Sequence, residues 1–118
     1  MTNFTLAQKP LDDVVVLEVT GYYDIHCGSS VLTAAGTKIE GGSTKFILDL
    51  TPCRIVNSSG IASIMDLSVK VIDDARGRLV LIGIDALKER VFKMAGILGV
   101  VERAADLDEA LALLHTKN

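Results

Sequence analysis

Asn57, Ser58, Ser59 and Gly60 stand just before the amphipathic run that opens at Ile61, a few residues after the apolar stretch Phe46-Ile47-Leu48-Asp49-Leu50. Two hydroxyls, one side-chain amide and a glycine thus meet the first turn of a helix, where backbone N–H groups lack intrahelical partners and negative charge is favoured. The chemistry this supports is anion binding, or acceptance of a phosphate on a serine hydroxyl. Either serine could also be an ordinary cap, satisfying an N2 or N3 amide for about 1 kcal/mol. Gly60 serves either close approach of a partner or tight packing of helix on strand.

A second group, Gly21-Tyr22-Tyr23-Asp24 with His26 beyond it, follows the β-rich segment Val14 to Thr20. Tyr22 and Tyr23 combine apolar area with a polar tip, which suits an interface, and one of the two is expected to pack inward. Asp24 is either partner-facing or a helix or turn cap. Arg54 could bridge to a phosphoserine or a partner's carboxylate, or stand solvated at the surface. A Ser58 nucleophile with His26 as base would be a hydrolase, yet there is no G-x-S-x-G elbow and no third group to orient His26. A nucleotide-binding module at the same helix end would need a phosphate loop such as GxxxxGK[ST], and none is present.

The elements that must position these residues can be read from pattern. Phe4 to Ala7 and Val14 to Thr20 read as strands joined by a hairpin through Lys9-Pro10-Leu11-Asp12-Asp13. Ser29 to Glu40 reads as a helix stopped by Gly41-Gly42. Phe46 to Leu50 and Leu79 to Ile82 have the near-continuous apolar character of strands covered on both faces. Between them Ile61, Ile64, Met65, Ser68 and Ile72 line one helical face, ended by Gly77. Asp85 caps a helix from Ala86 to Ala95 whose Leu87, Val91 and Met94 are expected in the core, with Gly96 as its stop. Val100-Val101 fits a last strand, and Asp106-Leu107-Asp108-Glu109 opens a terminal helix striped by Leu107, Ala110, Leu111 and Leu114.

The order ββαβαβαβα implies right-handed crossovers and an α/β fold: a mixed, mostly parallel β-sheet of about five strands with about four helices. If Val14 to Thr20 and Phe46 to Leu50 run parallel, the loops Gly21 to Gly28 and Thr51 to Asn57 leave the sheet at one edge. Ligands of open α/β sheets gather there, so Tyr22, Tyr23 and Asp24 are expected near Ser58.

Composition narrows the function. The 118 residues fit a single domain with one aliphatic core, 49% hydrophobic, with five aromatics and no tryptophan. A net charge of −3 without a basic cluster argues against direct contact with nucleic acid. No apolar run approaches the ~20 residues that span a bilayer, and Met1-Thr2-Asn3-Phe4 lacks a basic n-region, so no membrane insertion and a cytoplasmic location are expected. Cys27 and Cys53 lie far apart with no metal-ligand spacing around either. They read as buried or half-buried free thiols, and no metal or other cofactor is expected.

Three segments together resemble the STAS domain (sulfate transporter and anti-sigma factor antagonist) in its small free-standing bacterial form. They are Leu17-Glu18-Val19-Thr20-Gly21-Tyr22-Tyr23-Asp24, the run Ile47-Leu48-Asp49-Leu50 through Asn57-Ser58-Ser59-Gly60-Ile61, and Val91-Phe92-Lys93-Met94-Ala95-Gly96-Ile97-Leu98. The resemblance implies a non-catalytic partner switch: an unphosphorylated antagonist binds an anti-sigma factor that is also a serine protein kinase, with a phosphatase resetting the cycle. It puts the phosphoacceptor at Ser58 and the partner surface at Tyr22, Tyr23, Asp24, Arg54, Asn57, Ser58, Ser59 and Gly60. Where the family usually has Asp before the serine, this chain has Asn57. Asn caps a helix about as well, but the carboxylate is gone, which leaves open a scaffold subunit of a signalling complex that is not efficiently phosphorylated.

Overall fold

The computed structural model describes residues 3–116; the part of the leader expectation resting on Met1 and Thr2 lies outside the described residues. Strands β1 (Phe4–Leu11) and β2 (Val14–Tyr23) form an antiparallel hairpin that turns at Asp12 and Asp13. Both run further than the sequence pattern implies. A left-handed backbone at Asp12, φ 56°, closes the turn, a conformation Asp adopts more readily than most residues. Helix α1 (Ile25–Glu40), strand β3 (Lys45–Asp49), strand β4 (Cys53–Val56) and helix α2 (Ser58–Ser68) follow, and α2 continues as a π-helical segment, Val69–Asp74. Strand β5 (Arg78–Ile82), helix α3 (Ala86–Met94), a 3₁₀ turn at Ile97–Gly99, strand β6 (Glu102–Arg103) and helix α4 (Leu107–His115) complete the chain.

The sheet order is β1-β2-β3-β5-β6, and every pairing after the hairpin is parallel. The expected α/β order therefore holds, with one strand more than expected. That strand is β4, in the segment read as the loop Thr51 to Asn57. It pairs with the far end of β2, so β2 lies beside β3 along its first half and beside β4 along its last three residues. The last strand falls on Glu102–Arg103 rather than Val100-Val101, and Val100 is half exposed.

Alternation along the strands sends side chains to two faces. Leu17, Val19, Phe46, Leu48, Leu79 and Leu81 meet Val31 and Ala35 of α1, Ile64 and Leu67 of α2, and Phe92 of α3. Val14, Val16, Ile47, Val80 and Ile82 point the other way, onto Ala110 and Leu114 of α4. Each of these larger side chains, fully removed from water, stabilises the fold by about 1.5–3 kcal/mol relative to exposure.

The caps follow the chemistry of their residues. Asp85 Oδ1 accepts from Lys88 N at 2.8 Å and Asp106 Oδ1 from Glu109 N at 2.9 Å, while Glu109 reaches back to the Ala105 amide. Gly96 takes the left-handed conformation after α3.

One expectation about the core fails. Leu87 is 64% and Met94 82% exposed, and Val91 is only half-buried. The residues of α3 that enter the interior are Lys88 and Phe92. The Lys88 ammonium pairs with Asp85 at 3.0 Å while its stem packs against apolar neighbours, as long cationic side chains can.

Candidate functional site

Helices α1 and α2 both start at the carboxyl edge of the parallel strands, α1 directly after β2 and α2 directly after β4. Asn57 is the N-cap of α2: its side chain accepts from Gly60 N at 2.9 Å, and its own N–H donates to Tyr23 O at 3.2 Å. The cap is thereby tied to the end of β2. Ser58 and Ser59, the first two residues of the helix, are exposed. No hydrogen bond involves either hydroxyl among the described residues. The capping function has gone to Asn57, and Ser58 Oγ is left to solvent. The first turn of α2 contains no acidic residue, so its positive end is not offset from within the helix.

Gly60 is buried because α2 lies directly on the backbone of β2. A Cβ there would overlap the Tyr23 carbonyl oxygen and stand 2.9 Å from its carbon and 3.0 Å from Val56 Cγ1. Of the two roles considered for this glycine, packing of helix on strand is the one the fold displays. Gly28 does the same between helices, where a Cβ would overlap Ser63.

Tyr22 and Tyr23 are the last residues of β2, not loop residues, and the strand's alternation separates them. Tyr22 is 42% exposed and Tyr23 fully buried. Tyr23 is the inward member of the pair, which removes it as a surface contact. Its hydroxyl has no hydrogen-bond partner among the described residues, and burial, with Cys27 and Cys53 beside it, pushes its phenol well above the usual range. Asp24 is the N-cap of α1, accepting from Cys27 N at 2.9 Å. Its carboxylate is half-buried at the edge that carries Ser58.

His26 and Cys27 belong to the first turn of α1 rather than to a loop. His26 is exposed, and no hydrogen bond joins it to Ser58 among the described residues. Cys27 and Cys53 are free and buried. Burial pushes the Cys27 thiol up to about 12, and burial also raises that of Cys53 against the opposing pull of Lys88. No group of three His, Cys, Asp or Glu able to hold a metal ion occurs among the described residues.

Arg54 is exposed on β4 and makes no ion pair among the described residues. The pairing register shifts there, from Gly21 opposite Cys53 to Tyr22 opposite Ile55, so Arg54 is the extra residue of a bulge. Bulges re-aim side chains, and here two successive residues, Arg54 and Ile55, both face outward. Sequence reasoning missed Ile55 and the neighbouring face of α3. No sequence signal marked Ile55, since Cys53-Arg54-Ile55 alternates as a regular strand would and only the bulge turns Ile55 outward.

The edge thus brings together Tyr22, Asp24, Arg54, Asn57, Ser58 and Ser59, while Tyr23 and Gly60 lie beneath it. This is a helix start with two exposed hydroxyls, framed by polar and apolar surface, on an α/β scaffold with no helix among the described residues long and apolar enough to cross a membrane.

The sequence matches the STAS domain over residues 6–110, and the chain belongs to that family. No curated protein matches it. Among solved structures it is similar to TM1081 of Thermotoga maritima, with a TM-score of 0.82 and 22% identity over 93% of this chain and 88% of that one. An anti-sigma factor antagonist from Mycobacterium paratuberculosis gives a TM-score of 0.82 at 18% identity, covering 96% and 95%. The Bacillus cell fate determinant SpoIIAA in its phosphorylated form gives 0.72 at 19%, covering 94% and 100%. At these identities the likeness establishes the fold.

Proposed function

We propose that this chain is a non-catalytic regulatory protein, an anti-sigma factor antagonist that binds an anti-sigma factor with serine kinase activity and is released from it by phosphorylation of Ser58. The observation that carries the reading is the exposed Ser58 hydroxyl at the first position of α2, relieved of capping by Asn57. A phosphate there adds about −1.5 to −2 charges at a helix end that favours them. The fold survives the modification, while a partner surface docked against a neutral hydroxyl meets new charge and desolvation cost. Tyr22, Asp24, Arg54, Asn57 and Ser59 frame the docking surface, a phosphatase restores the binding form, and the cycle runs in the cytoplasm. SpoIIAA, of the same fold, is known in unphosphorylated and phosphorylated forms, which supports the reading.

Incubation with its anti-sigma kinase and ATP, followed by mass spectrometry of the Ser58 peptide, tests the switch. One phosphate on Ser58 and loss of the complex are expected. An unmodified Ser58 under full turnover of a control substrate overturns the switch. Asn57 gives a specific reason for a second reading, a scaffold subunit, because the cap is kept while the carboxylate of the usual Asp is lost. A scaffold binds its partners stably and stays unphosphorylated in that same assay. An ester-hydrolase reading requires turnover lost in both Ser58→Ala and His26→Ala.

A further inference from the structure

Helix α3 faces outward with apolar side chains that nothing among the described residues covers. Leu87 and Met94 are among the most exposed large hydrophobics, and across from them β4 presents Ile55, 46% exposed. Between α3 and β4 runs a groove with a cavity of about 110 Å³, lined by Ile55, Val56, Leu87, Val91 and Phe92, with Arg54 among its walls. The volume is well below the roughly 300–1,000 Å³ of a small-molecule site. It is the size of a single aliphatic side chain, the kind of anchor an amphipathic helix sets into a groove.

The charges around it have one sign to spare. Asp85 is engaged by Lys88 and Glu89 by Arg103. Arg54 and Arg90 have no ion-pair partner among the described residues. Arg90 follows Leu87 by three positions and precedes Met94 by four, so it stands with them on the outward rim of α3, beyond the residues that line the cavity. On a protein of net charge −3 this local excess of cations is the exception. It complements an acidic partner and disfavours a second copy of this chain. The groove is also continuous with the switch, because its wall residue Val56 precedes Ser58 by two positions, no more than about 7 Å of extended chain.

We propose that the groove between β4 and α3 is the docking site for an acidic amphipathic segment of the partner protein. The segment inserts one aliphatic side chain beside Ile55 and Val91 and sets carboxylates against Arg54 and Arg90. The proposal rests on the partner-binding reading above and gives it a mechanism: phosphate on Ser58 puts negative charge at the end of a groove whose occupant is negative.

The probe is a stapled helical peptide with Leu at i, i+4 and i+7 and Glu on its flanks, beside a counterpart with Lys in place of each Glu. Both are titrated into methyl-labelled protein and followed by NMR. The acidic peptide is expected to shift the methyl resonances of Ile55, Leu87, Val91 and Met94 and to bind roughly tenfold more tightly than the basic one at low salt, a gap that narrows as salt rises. Arg54→Glu with Arg90→Glu, both exposed and harmless to the fold, is expected to reverse the preference. Equal binding of the two peptides, shifts confined to another face, or no shift with either overturns the proposal. None of these signals passes through Ser58. A groove that binds while Ser58 resists the kinase keeps this inference and loses the switch, and the opposite result does the reverse.

Discussion

Gly60→Ala sets two effects of opposite sign against each other. On helix propensity alone, replacing a helical glycine with alanine should stabilise by about 1 kcal/mol. The structure puts the new methyl 2.9 Å from the Tyr23 carbonyl carbon and 3.0 Å from Val56 Cγ1, with the carbonyl oxygen closer still. Carbon atoms prefer about 3.5–4.0 Å, so backbone must move by roughly 1 Å, and no rotamer change can relieve it. Overpacking of this kind costs about 1–3 kcal/mol. The same movement stretches the hydrogen bond from Gly60 N to Asn57, a cap worth about 1 kcal/mol. The clash wins, and the net loss is about 1–3 kcal/mol, or roughly 4–12 °C in Tm at this chain length. Urea unfolding with an unchanged slope measures it. Gly99→Ala is the control: a Cβ there meets nothing within 4 Å, so its effect stays within about 0.5 kcal/mol. A Gly60→Ala protein as stable as the parent, or more so, refutes the close seating of α2 on β2 and with it the fixed position of Ser58.

Ser58→Glu is expected to leave stability unchanged or raise it by about 0.3–1 kcal/mol, since it adds the first acid to the opening turn of α2; a loss beyond about 1 kcal/mol in the same urea assay contradicts an open helix start. Both cysteines are protonated at pH 8 because burial raises their pKa, so the native protein reacts slowly with a thiol reagent and two equivalents appear only on unfolding, whereas fast native labelling of Cys27 would contradict its burial. The Asp85 carboxyl is held below its ordinary 3.8 by the Lys88 amide first and the Lys88 side chain next, so its contribution is present at neutral pH and is lost as pH falls through the lowered value. Asp85→Asn keeps an N-cap but leaves the Lys88 ammonium alone, lowering stability at pH 7 and flattening its decline below pH 4; Lys88→Met, which removes the buried charge, is expected to restore most of the loss.

Local chemistry was the legible part of this chain. The strands at Val14, Phe46 and Leu79 announce themselves by apolar continuity, and Asp85, Asp106 and Gly96 mark helix ends by capping chemistry that acts within one turn. The helix start at Ser58 was legible the same way. What escaped depends on partners distant in sequence. Strand β4 is four residues long, follows Pro52, and exists because the end of β2 offers it hydrogen bonds. That same pairing makes Tyr22 and Tyr23 strand residues and starts α1 at Ile25, with Asp24 as its cap. On α3 the apolar period was read correctly but assigned to the wrong side. Leu87, Val91 and Met94 repeat as a helix should, yet Lys88 and Phe92 form the adjacent stripe, and a lysine conceals a buried one. Periodicity reports that a helix has a face, not which neighbour will cover it.

The two sides of the sheet are closed at different times during synthesis. Helices α1, α2 and α3 leave the ribosome interleaved with the strands they shield, but Val14, Val16, Ile47, Val80 and Ile82 wait for α4, which follows every strand. A released chain truncated after Ala104 keeps every strand but leaves this oily flank bare, an invitation to sister chains. Helix α4 is therefore what keeps that flank from sticking: undocked, it leaves Val14, Val16, Ile47, Val80 and Ile82 open to water.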